Sequence, residues 1–424
     1  MEPVPSRLRN WVKILSAYFT AQTLTQLAGI AAGLLFINFM PVRDFALYTL
    51  ASSVITFFTF ASDLGSTTSL VHFFHRSARE GEDFGSYVAA VLSLRRWAFL
   101  LGSLAVLAVF PRIAMERGFG AVETALAAAA VAVGVWFQIG ASIRVLLLRL
   151  ADRYGLSYRA ELAGAAFRLL AAGAMIAAGL LYGWLGVAAA AAGTAVTAWL
   201  ARQGAAVPES KTDAAESRRR VLRYLLPTLP SALYFAVQGP LVVWLAATFG
   251  SARNIAEVGA LGRLGLVVGI FSGLTGVVFL PRLARITDDR LYRARYFQFG
   301  ALLATVALGM LAAAALFPGL FLLLLGESYS GLHRELLLVV AAAGLTLLDG
   351  YAVAVNLARS WTRWQGGAVL SLALSQAALA ALLPLSTTSG VLLFNLLSSG
   401  VALAGQLAIN AAGFLRPRWV QWAS

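Results

Sequence analysis

The chain has 424 residues, of which 60% are hydrophobic and only 12% charged, and its mean hydropathy is +0.78. Ordinary soluble domains carry about 25% charged residues, so this composition excludes a water-soluble enzyme or binding module. It also excludes disorder, because disordered chains are poor in hydrophobic residues. With no cysteine and three histidines, we expect no disulfide, metal site or cofactor. The composition indicates a polytopic membrane protein.

Apolar segments recur along the chain, and each is close to the roughly 20 residues that a helix needs to cross the hydrocarbon. They predict twelve spans, at 14–38, 45–74, 86–110, 122–148, 157–181, 183–201, 222–248, 255–281, 296–317, 335–358, 365–385 and 388–412. We interpret the short stretch 318–325 as a continuation of the ninth helix, broken at Pro318. The first apolar run is long enough to span, which favours a retained helix over a cleaved signal peptide.

The distribution of basic residues predicts the orientation. The chain carries 33 Lys and Arg against 19 Asp and Glu, a formal net charge of +14. If both termini are cytoplasmic, most basic residues fall in inner loops, and the outer loops hold only Arg43, Arg112, Arg117, Arg253 and Arg334. This bias follows the positive-inside rule and predicts a multi-pass membrane protein with both termini cytoplasmic. Nucleic acid is not an expected partner, because arginines in such a protein set topology and contact anionic lipid.

A polar segment over residues 204–221 divides the predicted spans into two sets of six. We interpret it as a cytoplasmic linker between an N-terminal bundle (1–203) and a C-terminal bundle (222–424). The halves are similar, because Arg43-Asp44-Phe45-Ala46 opens the second helix and Arg253-Asn254-Ile255-Ala256 opens the eighth. The expected fold class is therefore an all-α polytopic membrane protein, with about twelve transmembrane helices in two six-helix bundles related by a pseudo-two-fold axis along the membrane normal.

The loops argue against an enzyme. None is long enough to hold a nucleotide-binding domain, and no phosphate-binding G-x-x-x-x-G-K-[ST] motif occurs. We therefore expect a transporter that does not hydrolyse ATP itself, with its site between the two bundles.

Several short motifs resemble those of a known transporter family. They are Phe45–Ala51 (FALYTLA), Ala61–Gly65 (ASDLG), Glu257–Leu261 (EVGAL), Phe279–Leu283 (FLPRL) and Gly326–Tyr329 (GESY). On these motifs the chain resembles the polysaccharide and O-antigen (Wzx-like) flippases of the multidrug/oligosaccharidyl-lipid/polysaccharide exporter superfamily. Ala46 and Leu261 depart from the glycine and tyrosine that the family usually shows at these positions.

The resemblance implies a location in the bacterial inner (plasma) membrane, a cargo and a pathway. The cargo is an undecaprenyl-diphosphate-linked oligosaccharide, moved from the inner to the outer leaflet for cell-surface polysaccharide, including lipopolysaccharide, biosynthesis. Alternating access between the two helix bundles would carry it across. Expected partners are this lipid-linked oligosaccharide, membrane lipids and other polysaccharide assembly proteins. A monomer suffices, because the architecture encloses its own pathway.

Charged residues inside the predicted spans are the candidate site residues, because a charge at the bilayer centre costs at least about 2.5 kcal/mol. Arg168 lies about 15 Å into the fifth span and is expected to contact the diphosphate, since guanidinium binds phosphate oxygens bidentately. The alternative is a structural pair with Glu161 or Asp349. The rest of the predicted substrate-binding set comprises Arg263, Arg144, Gln26 and Gln238. For these two arginines the alternative is snorkelling toward the interface.

Two carboxylates are candidates for ion or proton coupling, or for a gate. Asp349 lies within the tenth span, where a structurally paired carboxylate is the alternative. Asp63 lies in the second span beside Gly65, where a helix bend is the alternative. We expect a third carboxylate, Glu161, to pair with Arg144, Arg159 or Arg168.

Two other functions stay open. Cation-coupled multidrug exporters of the same superfamily usually carry an acidic residue in the first or seventh helix, and segments 14–38 and 222–248 contain none. A membrane glycan polymerase or ligase would need large outer loops, which the sequence lacks.

Overall fold

The computed structural model describes residues 23–205, 214–226, 229–275, 288–359 and 363–415, together with residues 279, 283, 286 and 361. The helices are α1 (Thr23–Phe39), α2 (Val42–Asp63), α3 (Ser66–Glu80), α4 (Phe84–Glu116), α5 (Ala121–Leu150), α6 (Tyr154–Ala177), α7 (Gly183–Gly204), α8 (Ala214–Leu225), α9 (Leu229–Phe249), α10 (Ala252–Leu274), α11 (Asp289–Leu316), α12 (Pro318–Leu323), α13 (His333–Ala358), α14 (Gln365–Leu382) and α15 (Thr388–Leu415). Within these ranges ten helices, counting α2 and α3 as one, are long and apolar enough to cross a membrane. The all-α polytopic class is confirmed.

Two interruptions of the helices lie where the sequence predicts them. The chain bends between α2 and α3, where Leu64 and Gly65 adopt left-handed conformations with φ of 42° and 81°. Glycine tolerates this region without steric cost, which explains the break next to Asp63. Helix α11 ends at Leu316, and Pro318 opens the separate short helix α12.

The segment 204–221, which we interpret as a cytoplasmic linker, is partly helical, and the predicted span 222–248 is divided between the helices α8 and α9. Residues 214–225 form the separate helix α8, although residues 206–213 lie outside the described part of the chain. Its buried residues Ser217, Val221 and Leu225 recur every fourth position and pack on α3 and α4. Arginines occupy the opposite face, so α8 is an amphipathic helix rather than a coil. The predicted cytoplasmic termini lie outside the described residues.

The contacts divide the chain into two compact units, Met1–Ala247 and Thr248–Ser424. The first unit therefore includes α8 and most of α9. The indole of Trp244 in α9 donates a hydrogen bond to the Ser53 hydroxyl of α2 at 3.0 Å and packs against the Phe57 ring. The six-plus-six division of the spans stays a prediction, and the contacts place α8 and α9 with the N-terminal helices.

Aromatic residues fill the core of the second unit. Tyr296 stacks on Tyr351, whose hydroxyl donates to the backbone carbonyl of Tyr296 at 2.8 Å. The Gly326–Tyr329 motif forms a 3-10 turn that buries Tyr329 to 2% exposure. This burial, helped by the charge of Glu257, raises the pKa of Tyr329 to about 12. The motif therefore has a packing role in the described structure.

Candidate functional site

A polar pocket of about 360 Å³ lies within the first unit, bordered by α1, α3, α5, α6 and α7. Its polar lining consists of hydroxyl, amide and charged groups from Thr25, Thr67, Gln138, Ser142, Arg149, Glu161, Arg168, Thr194 and Thr197. A pocket with this lining offers hydrogen-bond donors and acceptors within an otherwise apolar helical bundle. It is therefore the candidate binding site of this unit.

Helical spacing explains why these side chains converge. Gln138, Ser142 and Arg149 lie at intervals of four and seven residues along α5, so they share one face. Thr194 and Thr197, which are three residues apart on α7, also share one face of their helix. Apart from Arg168 and Glu161, these lining residues are not distinguished in the sequence, because isolated hydroxyl residues are common in membrane helices. The signal in the sequence is the polar stripe that Gln138, Ser142 and Arg149 form at positions i, i+4 and i+11 of α5.

Arg168 extends into this pocket from α6, fourteen residues after the start of the helix, which corresponds to about 21 Å. Its stem runs along Gly193 of α7, where an added Cβ would lie 2.8 Å from Arg168 Cγ and 2.7 Å from the Gly164 carbonyl oxygen. Gly193 thus permits both the close approach of α6 to α7 and the path of the arginine.

The guanidinium of Arg168 lacks protein partners within the described residues. Its Nε is buried with no hydrogen-bond partner, and no carboxylate lies within ion-pair distance. The residue is partly exposed as a whole, and a partly buried cation without a counter-charge is favoured by an anion that neutralises it. In the described part of the first unit, the alternative pair of Arg168 with Glu161 does not form, because Glu161 pairs with Arg149.

The other two charges of the pocket neutralise each other. Glu161 Oε2 accepts a hydrogen bond from Arg149 Nη2 at 2.8 Å, and Arg149 Nε donates to the Ser157 hydroxyl at 3.2 Å. The expected pairing of Glu161 with Arg144, Arg159 or Arg168 was wrong. The physical reason is that a short turn joins α5 to α6, which brings the last turn of α5 beside the first turns of α6. The remaining charge of the pocket is that of Arg168.

A second buried arginine supports the pocket wall. Arg95 of α4, only 2% exposed, forms an ion pair with Asp63 and donates to the hydroxyls of Ser66, Thr67 and Ser142 at 2.7 Å each. Thr67 and Ser142 also line the pocket. Arg95 is not among the predicted site residues, although α4 carries it into the bundle. Asp63 is thus engaged in a structural pair, and its role as a gate or coupling site stays a prediction.

The other predicted binding residues of the first unit do not line this pocket. Arg144 lies on the opposite face of α5, in a separate groove. Gln26 is exposed on α1 beside the lining residue Thr25. Gln238 donates a hydrogen bond to the Tyr234 hydroxyl one turn earlier on α9. Only Arg168 of the predicted set therefore reaches the pocket.

The remaining two candidates belong to the second unit. Arg263 lies partly buried on α10. Asp349 lies on α13, and its Oδ1 is buried without a hydrogen-bond partner in the described residues. The proposed site roles of both residues remain predictions.

The fold is that of known membrane transporters. No family model matches the chain, and no curated protein matches its sequence. The lipid II flippase MurJ in an inward closed conformation superposes with a TM-score of 0.69 at 11% identity, over 94% of this chain and 89% of that chain. An inward-facing multidrug resistance MATE family transporter of the MOP superfamily gives 0.66 at 16% identity, over 91% and 95%. Identities this low establish the shared fold alone, and the expected polytopic architecture is confirmed.

Proposed function

We propose that the chain is a flippase that moves an undecaprenyl-diphosphate-linked oligosaccharide from the inner to the outer leaflet of a bacterial plasma membrane, for cell-surface polysaccharide synthesis. The observation that carries this proposal is the pocket around Arg168. It combines one cation, which no described carboxylate neutralises, with a lining of hydroxyl and amide groups. The fold is shared with a lipid II flippase and with multidrug MATE transporters alike, so the charge of the pocket, not the fold, carries the choice of cargo.

The two kinds of lining group match two parts of such a cargo. The guanidinium of Arg168 supplies a permanent charge and planar, bidentate hydrogen bonding for a diphosphate. Thr194, Thr197 and Gln138 supply donors and acceptors for sugar hydroxyls. The lipid tail stays in the bilayer while this polar part crosses. Alternating access of the kind that transporters use then exposes the pocket to each side in turn.

The charge of the pocket discriminates against the alternative cargo. A cationic drug in this pocket would face Arg168 across a medium of low dielectric constant, where like charges repel strongly. The ion pair between Arg149 and Glu161 offers no free carboxylate for a cation. An anionic cargo therefore fits the pocket better than a cationic one.

The decisive experiment is lipid analysis of a strain that lacks the gene. Lipid-linked glycans would be extracted and identified by mass spectrometry, and leaflet-specific labelling would report their side. We expect an undecaprenyl-diphosphate oligosaccharide to accumulate in the inner leaflet. Sensitivity to cationic dyes without such accumulation would instead favour drug export.

Complementation with point variants then tests the site. We expect Arg168→Gln to clear the accumulated lipid at least about tenfold more slowly than the wild type, because a charge-assisted bidentate contact is lost. Arg168→Lys keeps the charge but not the bidentate geometry, so an intermediate rate is expected. Arg112→Gln is the matched control, since Arg112 lies at the end of α4 with a side chain that is 82% exposed. Equal clearance by Arg168→Gln and the control would refute the role of Arg168.

Asp349 is the proposed coupling residue. Its Oδ1 is buried without a hydrogen-bond partner in the described residues, which leaves it able to bind a proton or a sodium ion. We expect Asp349→Asn to abolish the dependence of flipping on an imposed ion gradient in proteoliposomes. A gradient response that survives this substitution would exclude Asp349 as the coupling site.

A further inference from the structure

A second groove of the first unit, of about 410 Å³, is lined by arginines from three different helices. Arg96 comes from α4, Arg144 from α5 and Arg202 from α7. Arg144 follows Trp136 and Gly140 at intervals of four residues, which places them on the face of α5 opposite the polar pocket. This groove is therefore distinct from the site around Arg168.

The three arginines have no counter-charge within the described residues. The groove lining contains no carboxylate, and no described carboxylate lies within ion-pair distance of any of the three. The charges that act most strongly on Arg144 are those of Arg96 and Arg202, which repel it. Three converging positive charges in a partly apolar groove are costly unless an anion joins them. Arg96 and Arg202 are exposed and Arg144 is partly buried, so the charge pattern favours an anionic ligand at the mouth of the groove.

The remaining lining is apolar and faces outward. Trp136 and Trp199 are 48% and 61% exposed, on helices whose composition is that of membrane spans. Tryptophan is enriched where headgroups meet acyl chains, which fits Trp199, five residues before the end of α7, while Trp136 lies deeper along α5. Arg202 lies two residues before the end of α7, and Arg144 lies six residues before the end of α5, about 9 Å from it. Because α6 connects α5 to α7, both ends lie on the same side of the bundle, and the groove is at one interface.

We propose that this groove binds the headgroup of a membrane phospholipid that carries two phosphates, with its acyl chains along Trp136 and Trp199. Charge matching selects this lipid class. A single phosphate would neutralise one of the three guanidiniums, and the other two would still repel each other. Two phosphates would leave only one guanidinium without a counter-charge. Basic pockets between transmembrane helices are known to accept such headgroups. The proposal does not depend on which cargo the transporter carries.

Native mass spectrometry of the purified full chain tests the proposal. The probes are cardiolipin, which has two phosphates, and phosphatidylglycerol, which has one, offered at equal concentration. We expect the wild type to bind cardiolipin at least about tenfold more tightly, as the additional charge-assisted contacts require. The triple variant R96Q/R144Q/R202Q should lose this preference. The matched control R112Q/R218Q/R219Q removes the same charge from exposed positions and should keep it.

Several outcomes would overturn the proposal. They are equal binding of both lipids by the wild type, an unchanged preference in the triple variant, or the same loss in the control. A third probe, undecaprenyl diphosphate, tests the source of the phosphates. If it displaces cardiolipin completely at equal concentration, the groove receives the cargo lipid and the phospholipid assignment fails. If the triple variant does not fold, the single variant R144Q replaces it, with an expected loss of at least about threefold.

Discussion

Two arginines of the first unit, the buried Arg95 and the partly buried Arg168, differ in the hydrogen-bond and ion-pair partners that the protein gives them. Arg95 reaches a carboxylate and three hydroxyls, so every nitrogen of its guanidinium is engaged. Arg168 has a buried Nε with no partner in the described residues and extends into a polar pocket. Both charges lie inside the helical bundle, yet only one is neutralised by the chain.

This difference separates a structural charge from a binding charge. Breaking a buried pair leaves an uncompensated charge, so a fully satisfied arginine stabilises the fold that contains it. An unsatisfied arginine costs stability, and the proposed anionic cargo would supply the partner that the chain does not. Thr67 and Ser142 connect the two cases, since each accepts a hydrogen bond from Arg95 and also lines the pocket of Arg168.

The largest expected effect comes from removing the satisfied arginine. Arg95→Gln leaves Asp63 without its partner and frees three hydroxyls, so we expect the free energy of unfolding to fall by about 3 kcal/mol. Thermal unfolding in detergent, followed by circular dichroism, measures the change. The matched control is Arg96→Gln, because Arg96 is the next residue but is exposed and has no described ion-pair partner. Similar losses in both variants would contradict the structural role of Arg95.

The next effect tests how Arg168 is held. In Gly193→Ala the new methyl group would meet Arg168 Cγ at 2.8 Å and the Gly164 carbonyl at 2.7 Å. Because the second contact is with backbone, α6 and α7 must separate, and we expect a loss of about 1–3 kcal/mol together with slower flipping.

Gly173→Ala is the control for that substitution. It lies on α6, and nothing is within 4 Å of its added Cβ. Alanine has the higher helix propensity, so this variant should be neutral or more stable by up to about 1 kcal/mol. If Gly193→Ala behaves in the same way, the close approach of the two helices does not constrain Arg168.

A smaller effect on stability is expected for the unsatisfied arginine itself. Arg168→Gln removes a charge that the chain does not neutralise, so unfolding should change by less than about 1 kcal/mol or become less favourable. The same thermal unfolding assay measures it, without added lipid. A loss as large as that of Arg95→Gln would mean that Arg168 has a structural role, and it would remove the contrast between the two arginines.

The sequence was sufficient for the architecture and for one of the two arginines. Long apolar segments predicted the spans, because the requirement to cross the hydrocarbon is strong and local. Arg168 stood out because the predicted span places it deep in the bilayer. Arg95 did not, because its partners Asp63 and Ser142 are 32 and 47 residues away in the chain. Side-chain pairing between helices depends on their rotation and packing, which a single sequence does not specify.

The smallest expected effect concerns a third arginine, Arg220 of α8, and the docking of that helix. It donates to Glu82 Oε1 at 2.5 Å and to the Tyr87 hydroxyl at 3.1 Å. The hydroxyls of Ser217 in α8 and Ser86 in α4 also form a hydrogen bond at 2.7 Å. The pKa of Glu82 lies below its usual value, chiefly because the carboxylate accepts a hydrogen bond from Tyr87. The hydrogen bond from Arg220 lowers the pKa of Glu82 further. The contribution of Glu82 to the docking of α8 is therefore complete above the pKa of glutamate in the unfolded chain, about 4.3. It is lost as the pH falls through the lower pKa that Glu82 has in the folded protein.

Since the chain has no native cysteine, spin labels at R79C and R219C can follow the docking of α8 without interference. We expect the distance distribution between the labels to stay unchanged from pH 7 to about pH 5 and to broaden below about pH 4. In the E82Q background the docking is weakened at every pH, so the distribution should be broader at pH 7 and lose this pH response. The effect is small because exposed ion pairs contribute little to stability. A response that persists in E82Q would assign the pH dependence to another carboxylate and leave Arg220 as a solvated charge.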